Sequence, residues 1–286
     1  MRISFSTATY VQFPLGFSLR LARDLGFDGV EWDVSPGYLL RGLAEVQATF
    51  AAAGVRPLSI HPPLLPWLGW PRRYVRSAPR LGALARRLGA ELFVLHLPEL
   101  ASLDSPRARA YIDAIERGQL AGGSRVAVAI ENLQFDRRGR RYPVDDLATV
   151  ARFCQDHGCG LTFDTCHAGA NGEDVLADYA IVKPVLRNIH LSDVVWSGGL
   201  AHTHRLPGEG ELPLAELLRT LTRDGYDGLV TIEVRPDQAG PTGRGHAERR
   251  LSQALEFVRR HTAGRAADTG ANTVEEPADP SSRPSE

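Results

Sequence analysis

His61, His96, Glu131, Asp164, His190 and Glu233 each close a short apolar run: PLSIH, LFVLH, VAVAIE, LTFD, NIH and VTIE. Glu31 and Asp33 stand in the same place in GVEWD. His167 follows Asp164 by three positions in FDTCHA, and His202 and His204 form an H-x-H pair in AHTHRLPGEG. All are metal-ligand types, and imidazole mixed with carboxylate suits zinc, manganese, iron or cobalt. Cys154, Cys159 and Cys166 contain no C-x-x-C pair, so neither a structural cysteine site nor a disulfide framework is expected. Taken alone, each histidine reads as a hydrogen-bonded structural residue, and Asp164-x-x-His167 reads as a helix cap. Their recurrence at the same end of six runs points instead to one shared divalent site.

Side chains so far apart in sequence meet only if the fold gathers the ends of the runs. Strands are expected at Ile3–Thr7, Gly29–Asp33, Pro57–His61, Leu92–His96, Val126–Glu131, Leu161–Asp164, Asn188–His190 and Val230–Glu233. They show little polar alternation, as strands buried on both faces do. Helical segments lie between them: Leu15–Leu25, Leu40–Ala53, Pro79–Leu88, Val144–His157 and Leu214–Asp224, each followed by glycine. A helix–glycine–strand joint recurs in LGFDGVEWD, AGVRPLSIH, LGAELFVLH, HGCGLTFD and DGYDGLVTIE. Eight such units predict one α/β domain, a (β/α)8 TIM barrel over residues 1–262, whose strand C-termini converge on a single mouth. Residues 263–286 are poor in apolar types and rich in Pro, Ser, Thr, Gly and acids, so a disordered tail is expected there.

Net charge is −1, which gives no global field toward nucleic acid or an anionic membrane. Lys183 is the single lysine, so the arginine excess reads as a compositional bias. No apolar stretch approaches a membrane span and the N-terminus lacks a signal layout, so a cytoplasmic protein without membrane partners is expected. A homo-oligomer is compatible with the sequence.

The motifs SIHPP, FVLHLP, AIENL, TFDTCHA, NIHLSD, HRLPGEGELP and VTIEV, in that order, resemble the xylose isomerase-like TIM barrels, also called AP endonuclease family 2. The resemblance spans roughly residues 1 to 262. In the sugar isomerases and epimerases it implies one divalent ion, manganese, zinc, cobalt or magnesium, held by Glu131, Asp164, His190 and Glu233. Glu131 and Glu233 then carry the proton through an enediolate on a small carbohydrate or sugar phosphate. HLSD lacks the HxGExNR pattern of the ketose 3-epimerases. The endonuclease IV branch implies up to three zinc ions, on His61, His96, Glu131, Asp164, His167, His190, His202, His204 and Glu233. His202 stands where that branch has aspartate, and the substrate there is abasic DNA. His61, His96, His167, His202 and His204 are therefore additional metal or substrate contacts. Trp67 and Trp70 in LPWLGWPRRYV are expected to cover the site as a lid. Arg72, Arg73, Arg76 and Arg80, with RRGRR at 137–141, would grip phosphates only in the nucleic-acid reading. The isomerase or epimerase is the expected function. A keto-sugar lyase and a non-catalytic binding barrel remain the other readings.

Overall fold

The computed structural model describes residues 1–34, 36–62, 81–97, 126–134, 146–239 and 243–263, with a few positions between 106 and 116. The expected lid (Trp67, Trp70), the arginines at 72–80 and 137–141 and the tail from residue 264 lie outside the described residues.

Eight parallel strands close into a barrel in the order β1-β10-β7-β6-β5-β4-β3-β2. They are β1 (Arg2–Ser6), β2 (Gly29–Asp33), β3 (Pro57–His61), β4 (Leu92–His96), β5 (Ala127–Glu131), β6 (Gly160–Asp164), β7 (Leu186–Leu191) and β10 (Leu229–Ile232). Each overlaps one of the eight runs read from sequence, so the TIM barrel expectation holds. The glycines expected to end five helices, Gly26, Gly54, Gly89, Gly158 and Gly225, all adopt positive φ. That left-handed turn satisfies the last helical carbonyls and sends the chain back into the next strand.

The helices form the outer layer. Leu214, Leu217, Leu218 and Leu221 of the helix Leu214–Arg223 recur at helical spacing and are all buried. The second helix starts at Pro36 rather than Leu40 and is broken at Gly42, whose φ is 80°. Outward-facing strand residues such as Phe5, Ile60, Phe93, Ile130, Phe163 and Ile189 join this layer in one core.

A separate small cluster, Leu58, Leu92, Ala129 and Leu229, fills the lower lumen. Strand parity places three of the four, since Leu92 shares a face with His96, Ala129 with Glu131 and Leu229 with Glu233. Leu58 is the extra residue where the β2–β3 register shifts. Sequence reading also missed a hairpin above the mouth. β8 (Asp193–Ser197) and β9 (Leu200–Arg205) pair antiparallel around Gly198-Gly199. The helix Thr165–Ala170 follows Asp164 as the cap reading expects, and a further helix, Val175–Val182, was unread.

Candidate metal centre at the barrel mouth

The parallel register sets the ligand types side by side. Asp33 pairs with His61, His96 with Glu131, and Asp164 with His190. Each pair ends neighbouring strands at one level, so the side chains share the mouth.

Glu131 is the hub. Its Oε2 lies 2.8 Å from His96 Nε2 and 3.3 Å from His61 Nε2, and its Oε1 lies 3.1 Å from His190 Nδ1. His61 Nδ1 lies 3.4 Å from Asp33 Oδ2. Glu233, one residue past β10, brings Oε2 to 2.8 Å from His190 Nδ1, and Asp164 Oδ2 lies 4.0 Å from that same nitrogen. One ring N–H cannot serve three carboxylates.

Asp164 caps the following helix with one carboxylate oxygen and leaves the other uncommitted. Its Oδ1 accepts the backbone N–H of His167 at 2.8 Å and starts the helix Thr165–Ala170, while its Oδ2 is buried without a hydrogen bond. Glu233 Oε2 is buried too and, although His190 Nδ1 lies 2.8 Å away, it makes no hydrogen bond, because that nitrogen is hydrogen-bonded to Glu131 Oε1. A carboxylate oxygen withdrawn from water without a donor is costly, and a cation at that point removes the cost.

Three sets of donors converge, with ligand atoms within 4.8 Å of one another: Glu131, Asp164, His190 and Glu233; His61, His96 and Glu131; and Asp164, Cys166, His167 and His204. Glu131 and Asp164 each belong to two sets. Burial favours neutral groups and prevails at Asp33, whose carboxyl it pushes up despite His61, but charge pairing wins at His61, His190, Glu131 and Glu233. Burial opposes charge on His61, but Asp33 and Glu131 hold its pKa well above the usual imidazole range. His190 is raised likewise by Glu31, Glu233 and Glu131 against the effect of burial. Burial pushes Glu131 up, but His190 and His96 outweigh it and hold it well below the usual carboxylate range. Glu233 is pulled down to about 2 by His190 against the effect of burial. Where protons on imidazoles balance carboxylates so tightly, a divalent ion can replace those protons.

His204 reaches this group through strain. Its φ is +53°, and the β8–β9 register shifts between Asp193 and Val195, so the ring leaves the regular strand alternation. It meets His167 edge-on, ring centroids 5.3 Å apart, with Nδ1 3.5 Å from Ser192 Oγ. The bulge separates the two histidines of H-x-H. His202 sits in register with Val195, is exposed, and belongs to none of the converging groups among the described residues.

Sequence reading also gave Asn132 no role. Its Nδ2 donates to the Asp164 carbonyl at 3.0 Å and its Oδ1 accepts the Asp164 N–H at 2.7 Å, tying the ends of β5 and β6. Its own carbonyl accepts from His167 Nδ1 at 2.9 Å, which leaves Nε2 of that ring free. The signal was present in its position directly after Glu131.

Over residues 19–261 the chain matches the family described as xylose isomerase-like TIM barrel. It belongs to that family. Within the xylose isomerase-like barrels, an uncharacterized protein of Mycobacterium tuberculosis is 26% identical over 281 residues, 91% of this chain and 98% of that one. A fructoselysine 3-epimerase of Escherichia coli is 37% identical over 71 residues, 25% of each chain. A protein named probable endonuclease 4, from Methanoculleus marisnigri, is 31% identical over 181 residues, 56% of this chain and 62% of its own. The solved structure of a xylose isomerase domain protein from Alicyclobacillus acidocaldarius superposes with a TM-score of 0.64 at 28% identity, covering 92% of this chain and all of that one. No helix among the described residues is long and apolar enough to cross a membrane.

Proposed function

We propose that this barrel is a divalent-metal-dependent isomerase or epimerase of sugars or sugar phosphates. The observation that carries the reading is the meeting of Glu131, Asp164, His190 and Glu233 around one point, where two buried carboxylate oxygens, Asp164 Oδ2 and Glu233 Oε2, make no hydrogen bond. Three carboxylates and one imidazole form an oxygen-rich donor set that fits manganese, cobalt, magnesium or zinc.

Such an ion, bound to neighbouring substrate oxygens, supplies the positive charge that acidifies a hydrogen on the adjacent carbon. The chain's own residues move the proton. Glu233 and Glu131 come from strands three places apart in the closed order, so they approach a substrate from different walls of the mouth. Glu233 has a side chain 13% exposed against 2% for Glu131, and it takes the proton at Oε2. Glu131, which starts ionised, receives a proton from His61 Nε2 at 3.3 Å and passes it to the substrate from the other side. The proton held at Glu233 leaves to solvent, and solvent reprotonates His61. His61 and His96 hold Glu131 and orient substrate hydroxyls.

A second reading, a multinuclear phosphodiesterase acting on abasic DNA, is favoured by the sharing of Glu131 and Asp164 between donor sets, because shared carboxylates bridge neighbouring ions. Metal content per chain, measured on protein purified without added metal or chelator, separates the two. The isomerase reading expects one ion, turnover of a keto-sugar or aldo-sugar and uptake of solvent deuterium at the reacting carbon. Three ions with cleavage of abasic DNA would establish the second reading. In the first, Glu233→Gln lowers kcat at least about 100-fold while the protein still unfolds cooperatively. Turnover within tenfold of wild type would refute the assignment of Glu233.

A further inference from the structure

The lumen beneath the site is polar where barrels of this type are usually filled by branched apolar residues. Ser4, Glu31, Ser59, Asn188, His190 and Thr231 are all fully buried there. Ser4 Oγ meets Thr231 Oγ1 at 2.9 Å, and Thr231 Oγ1 donates to Asn188 Oδ1 at 2.9 Å. Asn188 Nδ2 in turn donates to Glu31 Oε2 at 3.4 Å, and Ser59 Oγ donates to the same oxygen at 2.8 Å. The carboxylate then faces His190 Nε2, with Oε1 at 3.1 Å and Oε2 at 3.2 Å.

The direction of donation in this chain is fixed. Turning the Asn188 amide over would set its oxygen against the Glu31 carboxylate, so Nδ2 faces Glu31. The Asn188 oxygen is then the acceptor for Thr231, and the Thr231 hydroxyl is the acceptor for Ser4. Every link ends on Glu31, which as a carboxylate only accepts. The group on its remaining side must therefore donate, and that group is His190 Nε2.

We propose that Glu31 is a positioning residue for the divalent ion: it accepts the Nε2–H of His190 and so presents the Nδ1 lone pair to the metal. The inference rests on the proposed metal site. The other side of the ring agrees with it, since Nδ1 is the atom facing Glu131, Glu233 and Asp164. A ligating imidazole anchored through its second nitrogen keeps one tautomer and one ring orientation, and losing such an anchor commonly weakens metal binding 10- to 100-fold.

The test is zinc affinity by competition with a chromophoric chelator, together with 15N NMR of the histidine rings in zinc-loaded protein. Wild type is expected to show His190 protonated at Nε2 and metal-bound at Nδ1. Glu31→Ala is expected to bind zinc about 10- to 100-fold more weakly. Glu31→Gln matches the shape of glutamate and keeps one accepting oxygen. It is expected to retain the tautomer and lose about three- to tenfold, less than the alanine variant, and it decides the matter if Glu31→Ala does not fold. A Glu31→Gln protein that binds zinc as tightly as wild type, or a wild-type ring bound through Nε2, overturns the inference while leaving the metal site standing. Wild-type protein that takes up no zinc overturns the metal site and this inference together.

Discussion

Asp193 offers a sharp test of how the mouth is held together. It is fully buried at the start of β8, directly after the NIHLS segment, and its carboxylate accepts four backbone hydrogen bonds. Oδ1 accepts from Val194 at 2.9 Å and Leu212 at 3.0 Å, and Oδ2 accepts from Gly208 and Gly210, both at 3.0 Å. The PGEGEL segment is thereby wrapped around one side chain. A Cβ at Gly210 would lie 2.3 Å from Asp193 Oδ1, so glycine is needed there for the close approach. In Asp193→Asn one oxygen becomes an NH2 group. Two of the four amides then keep an acceptor and two face a donor. Each charge-assisted bond contributes about 1.5–3 kcal/mol, and stranding a donor costs on a similar scale. Three of the four bonds are only part-buried, where water can take up some of the loss. The net cost is therefore about 2–4 kcal/mol, against a typical total of about 5–15 kcal/mol. Urea unfolding measures the global change, and hydrogen exchange at the amides of Gly208, Gly210 and Leu212 measures the local one. Both should report it. A loss below about 1 kcal/mol with unchanged exchange at those amides would refute this account of the segment.

Asp178 gives a pH-dependent test away from the site. Burial pushes its carboxyl up to about 6, Asp174 adds to the effect, and its Oδ2 has no hydrogen-bond partner. A carboxyl raised on folding destabilises the fold at pH values above its unfolded pKa, and fully so above its folded pKa. Asp178→Asn should therefore stabilise the protein by about 1–2 kcal/mol at neutral pH, after allowance for partial exposure, and by nothing below about pH 4. Melting curves across that range check it, and an equal gain at every pH would contradict it. The two histidines of AHTHR should separate in metal titrations. His204→Ala should weaken uptake at the Asp164–His167 group by tenfold or more, whereas His202→Ala should leave both metal content and turnover within about twofold of wild type. Equal effects of the two changes would refute the assignment of the bulge.

The barrel and most of the site were legible because both depend on local signals. Helix–glycine–strand joints mark the connections, and an apolar run ending in His, Asp or Glu marks a strand that brings a side chain of ligand type to the mouth. The two rings of the H-x-H pair lie apart for a definite reason. Spacing of two on a strand implies a shared face, but the left-handed φ of His204 breaks that rule, and a non-glycine residue gives no composition cue for positive φ. The hairpin did carry a signal, Gly198-Gly199 between two short strands, which is a two-residue turn of the primed kind. Glu31 stood among the ligand types at the end of GVEWD. Its pairing with the far nitrogen of His190 depends on ring orientation, which no spacing encodes.

Strand parity divides the labour of this molecule. Most outward-facing apolar residues along β1 to β7 and β10 belong to the large core beneath the helices. The inward residues form the four-residue plug, the polar layer and the mouth, with Val94 as an apolar inward residue outside the plug. Apolar burial contributes most of folding stability, so that stability resides mainly in the outer layer. The lumen holds instead a gathering of like-charged carboxylates whose mutual repulsion is offset by imidazoles, and that gathering weakens the fold to the extent that it goes uncompensated. Removing one carboxylate relieves repulsion as well as breaking a pair. Conservative changes at Glu131, Asp164 or Glu233 should on this reasoning lower metal binding far more than cooperativity of unfolding. A bound ion should stabilise the fold in proportion to the logarithm of its concentration, as any ligand selective for the native state does. The same parity explains why the chemistry was readable without the side-chain contacts: one face of each strand answers to packing, and the other is free to answer to the site.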